Sequence, residues 1–191
     1  MKKILTTLFL FLSLTTNISA ETKRIISGND NAKITIIAYE SLTCSHCADF
    51  HKNVYPQLKK EYIDTGLAKI EFRHFPLDIA ALNASKIAQC KEDQSLEILD
   101  SLYSNQQAWV KGNTIDEING NLKKFVIDQG YKLNFDKCIN NKKIEDFILN
   151  DRIEGTKKFK INATPTIIIN NKKFEKTLNY KNLKNSLEKL I

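Results

Sequence analysis

Short β-branched runs lie near both ends of this chain, with a long stretch of helical periodicity between them. Residues 33–39, KITIIAY, are apolar and rich in isoleucine, the pattern of a short buried strand. From Ser45 to about Ile63 apolar residues recur at Cys47, Phe50, Val54, Leu58 and Tyr62, a spacing of three and four that predicts a helix. Pro56 falls inside that run, so a kink or restart is expected rather than a straight rod. Gly66 ends it. AKIEFRHF, residues 68–75, reads as a second strand stopped by Pro76. Strand, helix and strand form a βαβ unit, which calls for a parallel sheet with the helix packed across it.

Beyond Leu77 the texture changes. To about Lys160 the apolar residues keep helical spacing, with breaks expected at Gly112, Gly120, Gly130 and Gly155. Three to five packed helices with no strand among them are predicted. The chain then returns to β-character: Ile167, Ile168 and Ile169 form a buried strand, Asn170-Asn171 a turn, and a shorter strand follows. An amphipathic helix over about residues 180–191 completes the pattern. One α/β domain with an all-helical insertion at about 77–160 accounts for these elements.

Composition changes this picture at the N-terminus. Lys2 and Lys3 precede a short apolar run, Ile4 to Leu14, and a polar stretch closing on Ser19-Ala20. That order is a secretory signal over residues 1–20, too short and too rich in Thr for a spanning helix of about 20 apolar residues. The domain is therefore expected over 21–191, exported to the periplasm. The net charge of +7 comes from scattered lysines mixed with Asp and Glu, with no aromatic-interleaved basic stripe. This describes a solvated surface and excludes nucleic acid as the expected partner. The six glycines never cluster, and neither HExxH nor GxSxG occurs, so phosphate-cradle, zinc-protease and serine-hydrolase chemistry find no motif.

The chemistry lies in four cysteines: Cys44, Cys47, Cys90 and Cys138. Behind an export signal an even set is expected to form disulfides. Cys44 and Cys47 stand three apart, Cys44 at a strand-to-helix turn and Cys47 one helical turn on, close enough to bond. So small a loop removes little chain entropy, which makes it a poor staple and a good switch. The helix N-terminus, with a protonated His46 alongside, would hold Cys44 as a thiolate. Cys47, deeper in the helix, would be the resolving thiol. Two other readings stand beside this one. Zinc would need His46, His51 or His74 to converge on the pair, and a purely structural crosslink would need no further group. Cys90 and Cys138 both fall in the helical block and read as a staple across a long loop, two unrelated buried thiols being the alternative.

The stretches SLTCSHCADFH, EFRHFPLD and ATPT, on a βαβ start with a helical insertion, resemble the DsbA family of the thioredoxin fold. The likeness runs from about Lys33 to Ile191. It implies thiol–disulfide exchange in the cell envelope with Cys44 as the attacking cysteine, without metal or organic cofactor. It further implies a cis Thr164-Pro165 bond whose backbone meets an extended substrate segment. Reduced, unfolded secreted proteins would be the clients and a DsbB-type membrane protein the reoxidant. No separate dimerisation segment is visible, so a monomer is expected. Ser45-His46 departs from the Pro-His that family members commonly carry between the cysteines. Glu40, four residues before Cys44, is either a buried carboxylate that helps move the proton of Cys47 or an exposed charge at a strand end. A reductase or isomerase on the same fold, and a non-enzymatic holdase with an idle disulfide, are the competing functions.

Overall fold

The computed structural model describes residues 22–191, and the signal read in residues 1–20 lies outside the described residues. From the N-terminal side come β1 (Ile25–Gly28), β2 (Ile34–Glu40), α1 (Ser45–Asn53), α2 (Tyr55–Leu58), a π-helical turn (Lys59–Ile63) and β3 (Ala68–His74). The helical block contains α3 (Ile79–Gln89), α4 (Ser95–Ser104), α5 (Gln106–Trp109), α6 (Ile115–Asp128), α7 (Phe135–Ile139) and α8 (Lys142–Phe159). It is followed by β4 (Thr166–Ile169), β5 (Lys172–Lys173) and α9 (Tyr180–Leu187).

The strands form one sheet in the order β1-β3-β2-β4-β5. β2 and β3 run parallel, as the βαβ reading required, and the other pairings are antiparallel. The register sets Ile36 between Ile70 of β3 and Ile169 of β4, and Ala38 between Phe72 and Ile167. Because side chains alternate along a strand, Ile34, Ile36 and Ala38 share one face. There they join Phe50, Leu58, Ile87 and Leu102 in the main core. Ile37 and Tyr39 face the other way and pack with Phe75, Ile161 and Ile168. Burial on both faces is why KITIIAY reads as a continuous apolar run.

The second face is closed by α8. A Cβ on Gly155 would come within 2.7 Å of the Tyr39 ring, so α8 can lie this close to the sheet only with glycine there. Polar groups lock the contact. Arg73 on β3 reaches Glu71 at 2.6 Å, Glu154 at 2.8 Å and the Tyr39 hydroxyl at 3.0 Å, while Arg24 pairs with Asp151.

Several details differ from the expectation. β1 was not foreseen; it is four residues long and pairs on the sheet edge, Ile25 opposite Phe72. The helix expected from Ser45 to Ile63 breaks at Val54, two residues before Pro56, and restarts into a π-helical turn. The block between β3 and β4 holds six α-helices and a 3-10 turn (Glu92–Gln94) among the described residues rather than three to five helices, α5 and α7 being single turns. Gly120 and Gly155 lie inside α6 and α8 and break neither. Gly155 is needed for packing, and nothing in the structure requires Gly120. Asn170 and Asn171 both have positive φ, 45° and 64°, which makes the tight turn between β4 and β5.

Cys90, at the C-terminal end of α3, is bonded to Cys138 in α7 across 48 positions. By chain-entropy reasoning a loop of that length stabilises the fold by about 3–4 kcal/mol. Replacing both residues by alanine should lower the free energy of unfolding by about that amount, seen as a reduced denaturant midpoint. A midpoint equal to the parent's would show that the bond constrains nothing.

Candidate active site

Helices α3, α6, α7, α8 and α9 each begin with a side-chain oxygen accepting an amide N–H, from Asp78, Thr114, Asn134, Asn141 and Asn179 respectively. Helix α1 begins differently. Its N-cap is Cys44, in extended backbone conformation and with no side-chain cap bond, so the first-turn amides face a sulfur instead of an oxygen. Both thiols of the pair are free, Cys44 half-buried and Cys47 buried, which is the dithiol form.

The two sulfurs are driven in opposite directions. Cys44 is lowered to about 5, first by a hydrogen bond from the Cys47 thiol. Burial opposes this, and the Thr164 side chain and the backbone N–H groups of Cys47 and His46 assist. The His46 contribution comes from its backbone amide; its side chain is exposed. Cys47 is 0% exposed, and burial pushes its thiol well above the ordinary range. The hydrogen bond to Cys44 and the charge of Glu40 push the same way.

Glu40 is buried, not an exposed strand-end charge. At 3% exposure, burial raises its carboxyl while the His51 ring, 2.8 Å away, pulls it back. His51 and Asp100 complete the cluster, with Nδ1 at 3.1 Å from Asp100 Oδ1. The composition gave one signal for His51. It lies four positions after Cys47, on the same apolar stripe of α1, where a polar side chain has to find partners.

Thr164 and Pro165 arrive from the loop before β4 and are joined by a cis bond. Cys44 Sγ lies 3.3 Å from the Thr164 carbonyl oxygen, a hydrogen bond while the sulfur is protonated, so residues 120 positions apart meet at the sulfur. His46, Phe50, Val54, Thr164, Pro165 and Leu178 line a groove of about 490 Å³ beside the pair. Nothing in the residue pattern singles out Gln106 on α5. Its amide donates to the carbonyls of Leu42 at 2.8 Å and Cys44 at 3.0 Å, so the helical block braces the turn that presents the sulfur.

The three histidines go separate ways: His46 to solvent, His51 to Glu40 and Asp100, and His74 to Gln89 at 3.2 Å. Among the described residues no group of three His, Cys, Asp or Glu side chains is arranged to hold a metal ion. No described helix is long and apolar enough to cross a membrane.

A redox-capable cysteine pair at the start of α1, facing a cis-proline loop on a mixed sheet, defines a thioredoxin-fold protein with a C-x-x-C centre. Comparison with known proteins narrows this. A thioredoxin family model matches residues 20–189. The crystal structure of Wolbachia pipientis alpha-DsbA1 superposes with a TM-score of 0.77 at 32% identity, over 91% of this chain and 93% of that one. Disulfide bond formation protein D of Bacillus subtilis is 26% identical over 174 residues, 86% of this chain and 75% of that protein. A Rickettsia bellii protein, provisionally named a protein-disulfide oxidoreductase, is 31% identical over 150 residues, 76% of this chain and 56% of its own length. The chain thus spans about half the length of the rickettsial relatives it matches. It belongs to the DsbA family of the thioredoxin fold.

Because folding depresses the Cys44 titration, residue 44 stabilises the dithiol form fully above its unfolded value near 9, and the contribution is lost as pH falls through about 5. His51, raised to about 9, has the opposite sign. The difference between the dithiol parent and Cys44→Ser removes the His51 term. That difference should grow from about pH 4 to about pH 8 in denaturant unfolding, in favour of the parent. A difference independent of pH would contradict the assignment.

Proposed function

We propose that this protein is an exported dithiol oxidase that donates its Cys44–Cys47 disulfide to newly secreted proteins. The observation that carries the reading is the asymmetry of the pair, a half-exposed sulfur at about 5 beside a sealed one held far higher. A client thiolate attacks Cys44, the accessible sulfur. The Cys44–Cys47 bond breaks, a client–Cys44 bond forms, and the electron pair and one proton go to Cys47. The client's second thiolate then attacks its own sulfur in the mixed disulfide and releases Cys44 as a thiolate. Low basicity makes Cys44 a good leaving group, so the exchange runs toward client oxidation. Two electrons pass from client to protein, and sulfur supplies every reacting atom.

Supporting roles follow from position. The groove beside Pro165 receives an extended client segment, with Thr164 next to the reacting sulfur. Glu40 handles the proton of Cys47. Export is carried by residues 1–20, and a DsbB-type membrane protein returns the pair to the disulfide. The protein works as a monomer.

Mixing the disulfide form with a reduced two-cysteine peptide should yield oxidised peptide and dithiol protein in equal amounts. Cys44→Ala should abolish the transfer and Cys47→Ala should accumulate the mixed disulfide. Faster reshuffling of a scrambled substrate than oxidation of a reduced one would favour an isomerase. Full function in Cys44→Ala would favour a binding module.

A further inference from the structure

The lysine excess that reads as scattered along the chain is local. Residues 157–191 carry nine lysines against Glu175 and Glu188, which is the whole of the net charge of +7. They supply the end of α8, then β4, β5 and α9, so the imbalance falls on one flank of the molecule. Elsewhere lysines are commonly matched, Lys86 with Glu145 at 2.7 Å and Lys124 with Asp128 at 2.6 Å among them. Of the nine, only Lys184 forms an ion pair among the described residues, to Glu61 at 2.9 Å and Glu188 at 3.9 Å.

Apolar side chains stand exposed among these charges. Leu67, Leu190 and Ile191 are 39%, 44% and 68% exposed. Leu190 lines two adjoining clefts. One, of about 340 Å³, is shared with Lys172, Lys173, Lys176 and Phe174. The other, of about 270 Å³, is shared with Lys33, Ile34, Leu67 and Ile191. Lysines on an edge strand such as β5 also deter pairing with another chain, but that role needs no apolar group beside them. An acidic protein or a nucleic acid would answer the lysines and leave the leucines in water. Cation and hydrocarbon side by side match a partner built in the same two layers, an anionic phospholipid surface.

The fold decides which way the redox pair then points. β2 and β4 pair from Ile36 opposite Ile169 to Tyr39 opposite Thr166, and Cys44 follows the Tyr39 end. The turn into β5 lies at the other end, where the Asn170 amide donates to the Thr35 carbonyl at 2.9 Å. Ile34, which begins β2, lines the cleft of Leu190 and Ile191. The seven residues of β2 separate the two ends by roughly 20 Å. A molecule seated on this face turns Cys44 away from the lipid and toward the aqueous side.

We propose that the β5–α9 flank docks reversibly on an anionic phospholipid surface. Leu67, Leu190 and Ile191 enter the headgroup boundary, and Lys33, Lys172, Lys173 and Lys176 face the phosphates. The contact uses no atom of the redox site and does not rest on the exchange reading. Its consequence is concentration of the protein at a bilayer with the cysteine pair outward, open to chains in the adjoining solution.

Sedimentation with vesicles tests the proposal. The processed protein, isolated from the cell envelope, is mixed with vesicles of phosphatidylcholine alone or of phosphatidylcholine with phosphatidylglycerol. It should bind the anionic vesicles, bind the neutral ones far more weakly, and be released as salt rises. Each lysine removed should weaken binding about fivefold, so Lys172→Ala with Lys173→Ala should cost about twentyfold or more. Leu190→Ser should weaken it several-fold with the charges intact. These side chains are exposed or half-buried, and oxidation of a soluble two-cysteine peptide should stay at the parent rate in every variant. An environment-sensitive dye on Leu190→Cys, in a chain with Cys44→Ser and Cys47→Ser, should shift to the blue on anionic vesicles, whereas the same dye on Cys44 of the parent should not. Equal binding to both kinds of vesicle, or binding untouched by the paired lysine change, would overturn the proposal. Polyglutamate bound as tightly as the anionic vesicles, with Leu190→Ser without effect, would assign the face to an acidic protein and overturn the lipid reading.

Discussion

The site depends on one substitution of partners: the amides that open α1 face a sulfur where those of five other helices are given a side-chain oxygen. Unpaired N–H groups at a helix start favour a negative charge nearby. Aspartate, asparagine or threonine accepts from one of them in each of α3, α6, α7, α8 and α9. In α1 they remain available to Cys44, where they add to the hydrogen bond from the Cys47 thiol that lowers it to about 5. Much of the fold serves to hold that turn still. β2 delivers it from the sheet centre, Gln106 grips its carbonyls, and the loop before β4 brings Thr164 against the sulfur.

Chemistry then follows from the difference between two atoms in one small ring. Cys44 is reachable and weakly basic; Cys47 is sealed and strongly basic. In the proposed exchange the attacker meets the reachable sulfur and Cys47 departs with a proton, and in the second step Cys44 departs as the weakly basic anion. Burial of Cys47 is provided by the main core, which α1 enters with Cys47 and Phe50. The same burial places the charge of the neighbouring Glu40 where it helps to hold the Cys47 thiol protonated. Ion pairs and the close approach of α8 at Gly155 stabilise the opposite face of the sheet without touching the redox pair.

Most of this order could be read from residue patterns. β2 and β3 announce themselves because they are buried and β-branched, and C-x-x-C at the strand-to-helix turn identifies the reactive pair. β1 escaped because four residues, IISG, carry too short a period to separate from a loop; their partner Phe72 is far away in sequence. Gly155 looked like a break because its propensity is unfavourable in a helix, and tertiary contact with Tyr39 overrode that preference. His51 was visible as a polar residue on an apolar stripe, but its partner Asp100 lies 49 positions on and belongs to another helix. Gln106 was invisible for the same reason, at 62 positions from the carbonyl of Cys44. What sequence withholds here is contact between the βαβ unit and the helical block.

The most direct measurement is the titration of Cys44 in the dithiol protein, read from the ultraviolet absorbance of the thiolate, with Cys44→Ser as the blank. A midpoint near about 5 is predicted, with the second sulfur silent through neutral pH. A midpoint near about 8.5, that of an ordinary cysteine, would contradict the account.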